Sequence, residues 1–111
     1  MSRRNVTSDD INKKMASFNV VMSEDIGEVV SANYCYLDTI KSLHMIVKGE
    51  KGLISLFIVP DSESEKLEES FSNSEFVGTS FLLQSAKIII VGDNSQEVSQ
   101  LQKVAQSSFR F

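Results

Sequence analysis

The stretch from Asn33 to Pro60 constrains the fold most, because its sequence predicts three successive strands joined by short turns. We predict these strands over Glu28 to Leu37, Ser42 to Lys48 and Leu53 to Val59. Side chains alternate between the two faces of a strand, and the first two segments fit that period. The third segment is almost wholly apolar, so we expect a central strand with both faces covered. Pro60 ends this strand because it lacks an amide donor.

The alternation assigns side chains to opposite faces of the first two strands. On the first strand, one set is Val30, Ala32, Tyr34 and Tyr36, and the other is Val29, Ser31, Asn33, Cys35 and Leu37. On the second strand, Leu43, Met45 and Val47 oppose His44 and Ile46. Asp38 to Lys41 supplies the first reversal. Gly49 to Gly52 is predicted to be a tight hairpin loop, with a glycine at each end for positive dihedral angles.

A helix and a short strand precede this region. Thr7 to Asp10 has the form of a capping box, and Ile11, Met15 and Phe18 follow at helical spacing. We therefore predict a helix from Thr7 or Ser8 to Phe18. Asn19 to Met22 is predicted to form a short edge strand.

The second half of the chain predicts two further helices and two strands. Asp61 to Phe71 is a charged helix candidate with a capping box and one apolar pair, Leu67 and Phe71. Strands are predicted over Phe76 to Gln84 and Lys87 to Val91, the latter rich in β-branched residues. In the last helix, Asn94 is the cap and Glu97 completes the box, while Val98, Leu101, Ala105 and Phe109 repeat at helical spacing.

These elements predict an α+β fold in the order α-β-β-β-α-β-β-α. An antiparallel sheet of about five strands, with the helices packed mainly against one face, accommodates them best. A chain of 111 residues has the size of one domain, so we assign residues 1–111 to a single domain. The strand order does not follow from the sequence.

Composition and charge exclude several classes of function. The net charge of -4 argues against nucleic-acid binding, which requires clustered Lys and Arg. One cysteine excludes an internal disulfide framework. No apolar run approaches the roughly 18 residues of a membrane-spanning helix, so we expect the chain as given to be soluble. We also expect no cofactor. Gly49 to Gly52 is not a phosphate loop, because it lacks the Lys-Ser/Thr ending and no helix follows it.

Four pieces of the chain carry a family resemblance. They are the leading helix INKKMASF, the pair Cys35 and His44, the segment HMIVKGEKGLISLFIVP, and KIIIVGDNSQEVSQL. The third piece has a His-led strand, a Gly-Glu-x-Gly turn and an apolar strand ending in Pro; the matching residues are His44, Gly49, Glu50, Gly52 and Pro60. On these residues the chain resembles the C-terminal soluble domain of an uncharacterised gammaproteobacterial family of membrane-anchored, anti-sigma-factor-like proteins.

This resemblance covers most of the chain and implies a cellular setting, although it implies no activity. The parent protein would have a cytoplasmic N-terminal segment, one inner-membrane helix and this domain on the periplasmic side. Contact with the membrane would then pass only through a segment that is absent from this sequence.

Cys35 and His44 are the candidate site residues; eight residues separate them across a hairpin, and the side-chain alternation could place both on the same face of the sheet. They could share a metal or a small ligand, but a structural zinc site normally needs four protein ligands. They could instead act as nucleophile and base, with Asn33 or Asp38 as the orienting group. The third interpretation is a half-buried thiol beside a histidine that hydrogen-bonds to the backbone. We assign no catalytic and no metal-ligating residue, and we predict that the protein is not an enzyme.

The remaining candidates are weaker. Glu63, Glu65, Glu68 and Glu69 could offer oxygen ligands to a hard cation, although a solvated helix face is the better explanation of this cluster. Phe109 is expected in the core. We therefore predict a non-enzymatic sensory or protein-interaction domain of a membrane-anchored regulator; the alternative is a small-ligand or metal-binding domain that uses Cys35 and His44. A protein partner is expected, including homodimerisation through the edge of Phe76 to Gln84 or of Asn19 to Met22.

Overall fold

The described helices and strands lie largely where the apolar periods of the sequence predict them. The structure is a computed structural model that describes residues 7–24, 26–37, 40–60, 77–83 and 86–110. Within these ranges the elements are α1 (Ser8–Met15), a 3-10 turn (Ala16–Phe18), β1 (Val21–Met22), β2 (Glu28–Leu37), β3 (Ile40–Lys48), β4 (Leu53–Pro60), β5 (Val77–Leu83), β6 (Ala86–Gly92), α2 (Ser95–Ser108) and β7 (Phe109–Arg110).

Five of the strands form one antiparallel sheet in the order β2-β3-β4-β6-β5. This arrangement confirms the α+β class and the predicted central position of β4. The two outermost strands are β2 and β5. The predicted short strand after α1 also forms, but β1 pairs with β7 in a separate two-stranded ladder.

The main core lies between the two helices and one face of this sheet. Ile11 and Met15 of α1 and Val98, Leu101 and Ala105 of α2 are buried there. The sheet contributes alternate residues of its three inner strands: Leu43, Met45, Val47, Ile54, Leu56, Ile58, Ala86, Ile88 and Ile90. Both described helices therefore pack against the same face, as predicted. We call the opposite side of the sheet the outer face.

Both described helices begin at the predicted caps. The Thr7 hydroxyl accepts a hydrogen bond from the Asp10 amide at 3.2 Å, and Asn94 Oδ1 accepts one from the Glu97 amide at 3.0 Å. In each case the cap side chain accepts a hydrogen bond from an amide of the first turn, which has no acceptor within the helix itself. The buried Phe109 follows α2 as part of β7.

The predicted side-chain alternation is wrong at the start of β2. The ladder between β2 and β3 shifts register between Val29 and Ser31, so that Val30 is an extra residue. A bulge of this kind reverses the faces of the residues that precede it. Val29 is consequently buried on the helix side together with Ala32, whereas strict alternation had placed these two residues on opposite faces.

Three smaller predictions also need correction. The first reversal is shorter than predicted, because β3 already begins at Ile40 and pairs there with Leu37. The loop of Gly49 to Gly52 closes by a 2.7 Å hydrogen bond from the Gly49 amide to the Gly52 carbonyl, yet neither glycine has a positive φ. On the outer side of β4, Phe57 is only half-buried, so the expected covering of both faces is incomplete.

The helix predicted over residues 61–71, including its acidic residues Glu63, Glu65, Glu68 and Glu69, lies outside the described residues.

The radius of gyration, 13.1 Å, matches the value of about 13 Å expected for a compact domain of this length. In the described part of the chain, neither helix has the length and apolar character that crossing a membrane requires.

Candidate functional site

The strand register places Cys35 and His44 on the outer face of the sheet. Cys35 lies opposite Ser42, and His44 lies opposite Asn33. The two candidate residues are therefore diagonal neighbours on adjacent strands, and such neighbours are about 7 to 8 Å apart. The prediction that they share one face is confirmed.

The contacts of His44 lie on β4 rather than on β2. Its Nε2 is 3.0 Å from the Ser55 hydroxyl, and its ring stacks on Phe57 with a centroid distance of 4.5 Å and an interplanar angle of 7°. Burial lowers the pKa of His44, which favours the neutral imidazole. The ring is therefore held by two side chains of the neighbouring strand.

Cys35 is half-buried on the edge strand β2. Burial raises the pKa of the Cys35 thiol, so that the thiolate is disfavoured. The thiolate is the form that attacks substrates and binds metals. Of the two candidate orienting groups, Asn33 is exposed directly across the ladder from His44. Asp38 lies outside the described residues.

The outer face around His44 carries an apolar cluster. Ile40, Val59 and Ile89 are buried in it, with Phe57 and Val91 partly buried against them. Phe57 packs against this cluster and also stacks on His44, so the cluster and the histidine are neighbours. As far as the described residues extend, no group of three or more His, Cys, Asp or Glu side chains is arranged to hold a metal ion. The apolar strands here were predictable, but no sequence signal indicated the stacking of His44 on Phe57.

A shallow cavity of about 260 Å³ lies at one end of the sheet. Its described lining is Ser17, Phe18, Asn19, Lys41 and Pro60. The lysine ammonium lies 4.4 Å from the centre of the Tyr34 ring, so this cation already has an aromatic partner. Binding pockets for small molecules usually enclose about 300 Å³ or more. The cavity is therefore small for a specific ligand.

The edge strand β5 is the other feature with functional potential. In the described part of the sheet it pairs only with β6, so its second edge lies at the margin of the sheet. The sequence of β5, VGTSFLL, contains no charged residue and no proline. Its Leu82 is 59% exposed. Of the two edges predicted for a partner, this one belongs to the main sheet, whereas the Asn19 to Met22 segment contributes β1 to the small ladder.

Comparison with known proteins identifies the family of the chain. A family described as "Protein of unknown function (DUF3379)" matches residues 1–109. The chain belongs to this family, which confirms the expected membership of a family of unknown function. Neither the curated proteins nor the solved structures contain a significant match to the chain.

Proposed function

We propose that this domain is a non-enzymatic protein-interaction module of a membrane-anchored, anti-sigma-like regulator, and that it binds its partner along β5. The observation that carries the proposal is the uncharged edge of β5 with its exposed Leu82. Soluble proteins usually place lysine, proline or a bulge on the outermost strand of a sheet, because an outermost strand can pair with another chain. An extended partner segment would add a strand to the sheet there.

The opposite edge of the sheet is less suitable for strand addition. β2 begins with the exposed, charged Glu28, and the bulge at Val30 interrupts its ladder. The Tyr34 hydroxyl donates to the Lys14 carbonyl of α1 at 3.1 Å. Bulges and charges are the features that discourage edge pairing. The contrast between the two edges supports β5 as the docking edge.

The regulatory setting rests on the resemblance described above. That resemblance implies a soluble domain beyond a membrane helix in an anti-sigma-factor-like protein. The non-enzymatic character rests on the sequence, in which one cysteine and one histidine are the only residues of their types. A domain of this kind would act by holding or releasing a protein partner.

The test compares Leu82 with a matched position on the same sheet. Leu53 is also 59% exposed, and each of the two leucines lies opposite a lysine on the adjacent strand, Lys87 for Leu82 and Lys48 for Leu53. A photo-crosslinking amino acid is placed at either position in the full-length protein in its own host. We expect capture of a defined protein partner from position 82 and not from position 53.

The regulatory part of the proposal is tested with charged variants of the same two residues. Leu82→Glu should change the transcripts under the control of the regulator, whereas Leu53→Glu should leave them at the wild-type level. Equal capture from both positions, together with unchanged transcripts in Leu82→Glu, would overturn the proposal.

A small-ligand or metal-binding role for Cys35 and His44 is the second candidate. It is supported by their diagonal placement on one face of adjacent strands. Native mass spectrometry before and after a chelator tests it on the wild-type protein, Cys35→Ala and His44→Ala. A mass increment lost in both variants would support this role, and an increment unaffected by both changes would remove it.

A further inference from the structure

Ser55 lies on the outer face of β4, within hydrogen-bonding distance of the only imidazole of the chain. Its hydroxyl oxygen is 3.0 Å from His44 Nε2. The Phe57 ring stacks on the imidazole at a centroid distance of 4.5 Å, which fixes the orientation of the histidine ring. A hydroxyl beside a base that a third group orients is the arrangement that activates a serine as a nucleophile.

The environment of His44 favours the form of the ring that can act as a base. Burial lowers the pKa of His44, which favours the neutral imidazole at pH 7. The tautomer with its proton on Nδ1 leaves the Nε2 lone pair to accept a hydrogen bond from the Ser55 hydroxyl. Among the described outer-face residues opposite or diagonal to His44, Cys35 is the only other group that titrates. The charged side chains of this face lie further along or across the sheet: Glu28, Lys48 and Lys87.

Apolar side chains flank Ser55 on both neighbouring strands. The register places Ile46 of β3 and Val91 of β6 directly opposite Ser55, and both are half-buried. Phe57 follows two residues along β4 on the same face. An aliphatic group in contact with these side chains removes apolar surface from water, which is favourable. The surroundings of the hydroxyl therefore suit an aliphatic acyl group better than a charged group such as a phosphoryl group.

We propose that Ser55 is a covalent modification site that accepts an aliphatic acyl group from an acyl thioester, with His44 as the general base. Ser55 Oγ attacks the acyl carbonyl carbon while its proton passes to His44 Nε2. The C–O bond of the ester forms, the C–S bond breaks, and the leaving thiolate takes the proton from His44. The products are a serine ester and a free thiol. This inference goes beyond the proposed function and is independent of docking on β5.

The sheet around Ser55 favours a lasting ester over turnover. β4 is paired with β3 on one side and with β6 on the other, so the amides beside Ser55 are engaged in the two ladders. An oxyanion hole needs donors aimed at the developing negative charge, and acyl transfer is slow without one. Acylation of Ser55 therefore needs an activated donor, and hydrolysis of the resulting ester should be slow. A serine that is acylated once agrees with the non-enzymatic character proposed above.

The probe for the experiment is p-nitrophenyl butyrate, an activated ester that undergoes the same step with p-nitrophenolate as the leaving group. It is added to the full chain in a Cys35→Ala background, which removes the thiol on the strand next to His44. Peptide mapping by tandem mass spectrometry then measures the rate of acylation at each serine.

Ser31 is the matched internal control. It is half-buried on the same face and, like Ser55, lies opposite Ile46. In the described part of the chain, however, the hydroxyl hydrogen-bonded to His44 belongs to Ser55. We expect Ser55 to be acylated at least about tenfold faster than Ser31, because a general base accelerates such a step by about 10²-fold or more. The ester at Ser55 should persist after the probe is removed.

His44→Gln separates base catalysis from a merely structural contact. Glutamine keeps a hydrogen-bonding side chain but cannot take up a proton, so acylation of Ser55 should fall at least about tenfold while that of Ser31 is unchanged. The pH profile of the parent rate is a second readout that requires no substitution at His44. With His44 as the base, the rate should reach a plateau between about pH 5 and about pH 8, above the pKa of the imidazole. An unassisted hydroxyl instead reacts about tenfold faster with each pH unit, as its alkoxide fraction rises.

Equal acylation of Ser55 and Ser31 would overturn the inference, as would a Ser55 rate that His44→Gln leaves unchanged or a pH profile without a plateau. An ester that is lost as soon as the probe is removed would show turnover, and would overturn the role of Ser55 as a lasting acceptor. Acylation that depends on His44 supports the inference whether or not position 82 captures a partner, so the two proposals fail separately.

Discussion

At the scale of single residues, His44 links protonation to the stability of the outer face. Its partners, the Ser55 hydroxyl and the Phe57 ring, do not titrate at neutral pH. Burial lowers the pKa of His44 in the folded protein, whereas an unfolded histidine keeps a pKa of about 6.5. As the pH falls through that value, the unfolded chain binds a proton that the folded chain does not. The free energy of unfolding should therefore decrease from about pH 7 downwards and level off below the folded pKa.

The measurement is urea-induced unfolding at several pH values between about 5 and about 8. His44→Gln cannot be protonated in this range, so its free energy of unfolding should depend less on pH than that of the wild type. Because His44 is the only histidine, no other imidazole contributes. An identical pH dependence in both proteins would contradict the role assigned to His44.

A second residue-scale prediction concerns Gly49 and Glu97. The Lys51 amide donates to both carboxylate oxygens of Glu97 at 3.1 Å, and a Cβ on Gly49 would overlap Glu97 Oε1. Gly49→Ala should therefore displace the carboxylate and cost about 1 kcal/mol in the free energy of unfolding. In a Glu97→Ala background the same change should cost less, because the bond is already absent. Additive costs in a double-mutant cycle would contradict this coupling.

At the scale of elements, Asn12 joins α1 to the small ladder of β1 and β7. Its Oδ1 accepts a hydrogen bond from the Met22 amide at 2.7 Å, and its Nδ2 donates to the Met22 carbonyl at 3.4 Å. Asn12→Leu leaves the Met22 amide without this acceptor, which should reduce the free energy of unfolding by about 1 to 3 kcal/mol. Asn12→Asp keeps the shorter bond and should cost less. Equal losses from both changes, measured by urea unfolding, would show that the amide contact is not what stabilises the ladder.

The bounds of β2 and the start of α2 were predictable because they depend on local patterns, whereas the start of β3 and the faces of β2 were not. The bounds of β2 follow from its composition, and the start of α2 follows from Asn94. The bulge at Val30 arises from the pairing of β2 with β3, which no local pattern encodes. The same reason explains β7: Phe109 continues the helical period of α2, but pairing with Met22 draws it into a ladder.

At the scale of the whole molecule, strand order decides which surfaces remain for function. The shared face of Cys35 and His44 was predictable from their spacing, since the two strands are joined by a short hairpin. The insertion of β6 between β4 and β5, which leaves β5 at the margin, was not. Such an order depends on contacts between distant parts of the chain. The stacking of His44 on Phe57 likewise depends on the register between β3 and β4.

This strand order predicts a gradient of amide protection across the sheet. β4 is paired on both sides and buries Ile54, Leu56 and Ile58, so its amides should exchange with solvent most slowly. β5 should exchange faster than β4 and β6, because in the described part of the sheet it pairs with β6 alone. Hydrogen exchange read by mass spectrometry measures this gradient strand by strand. A β5 that exchanges as slowly as β4 would contradict the position of this strand at the margin of the described sheet.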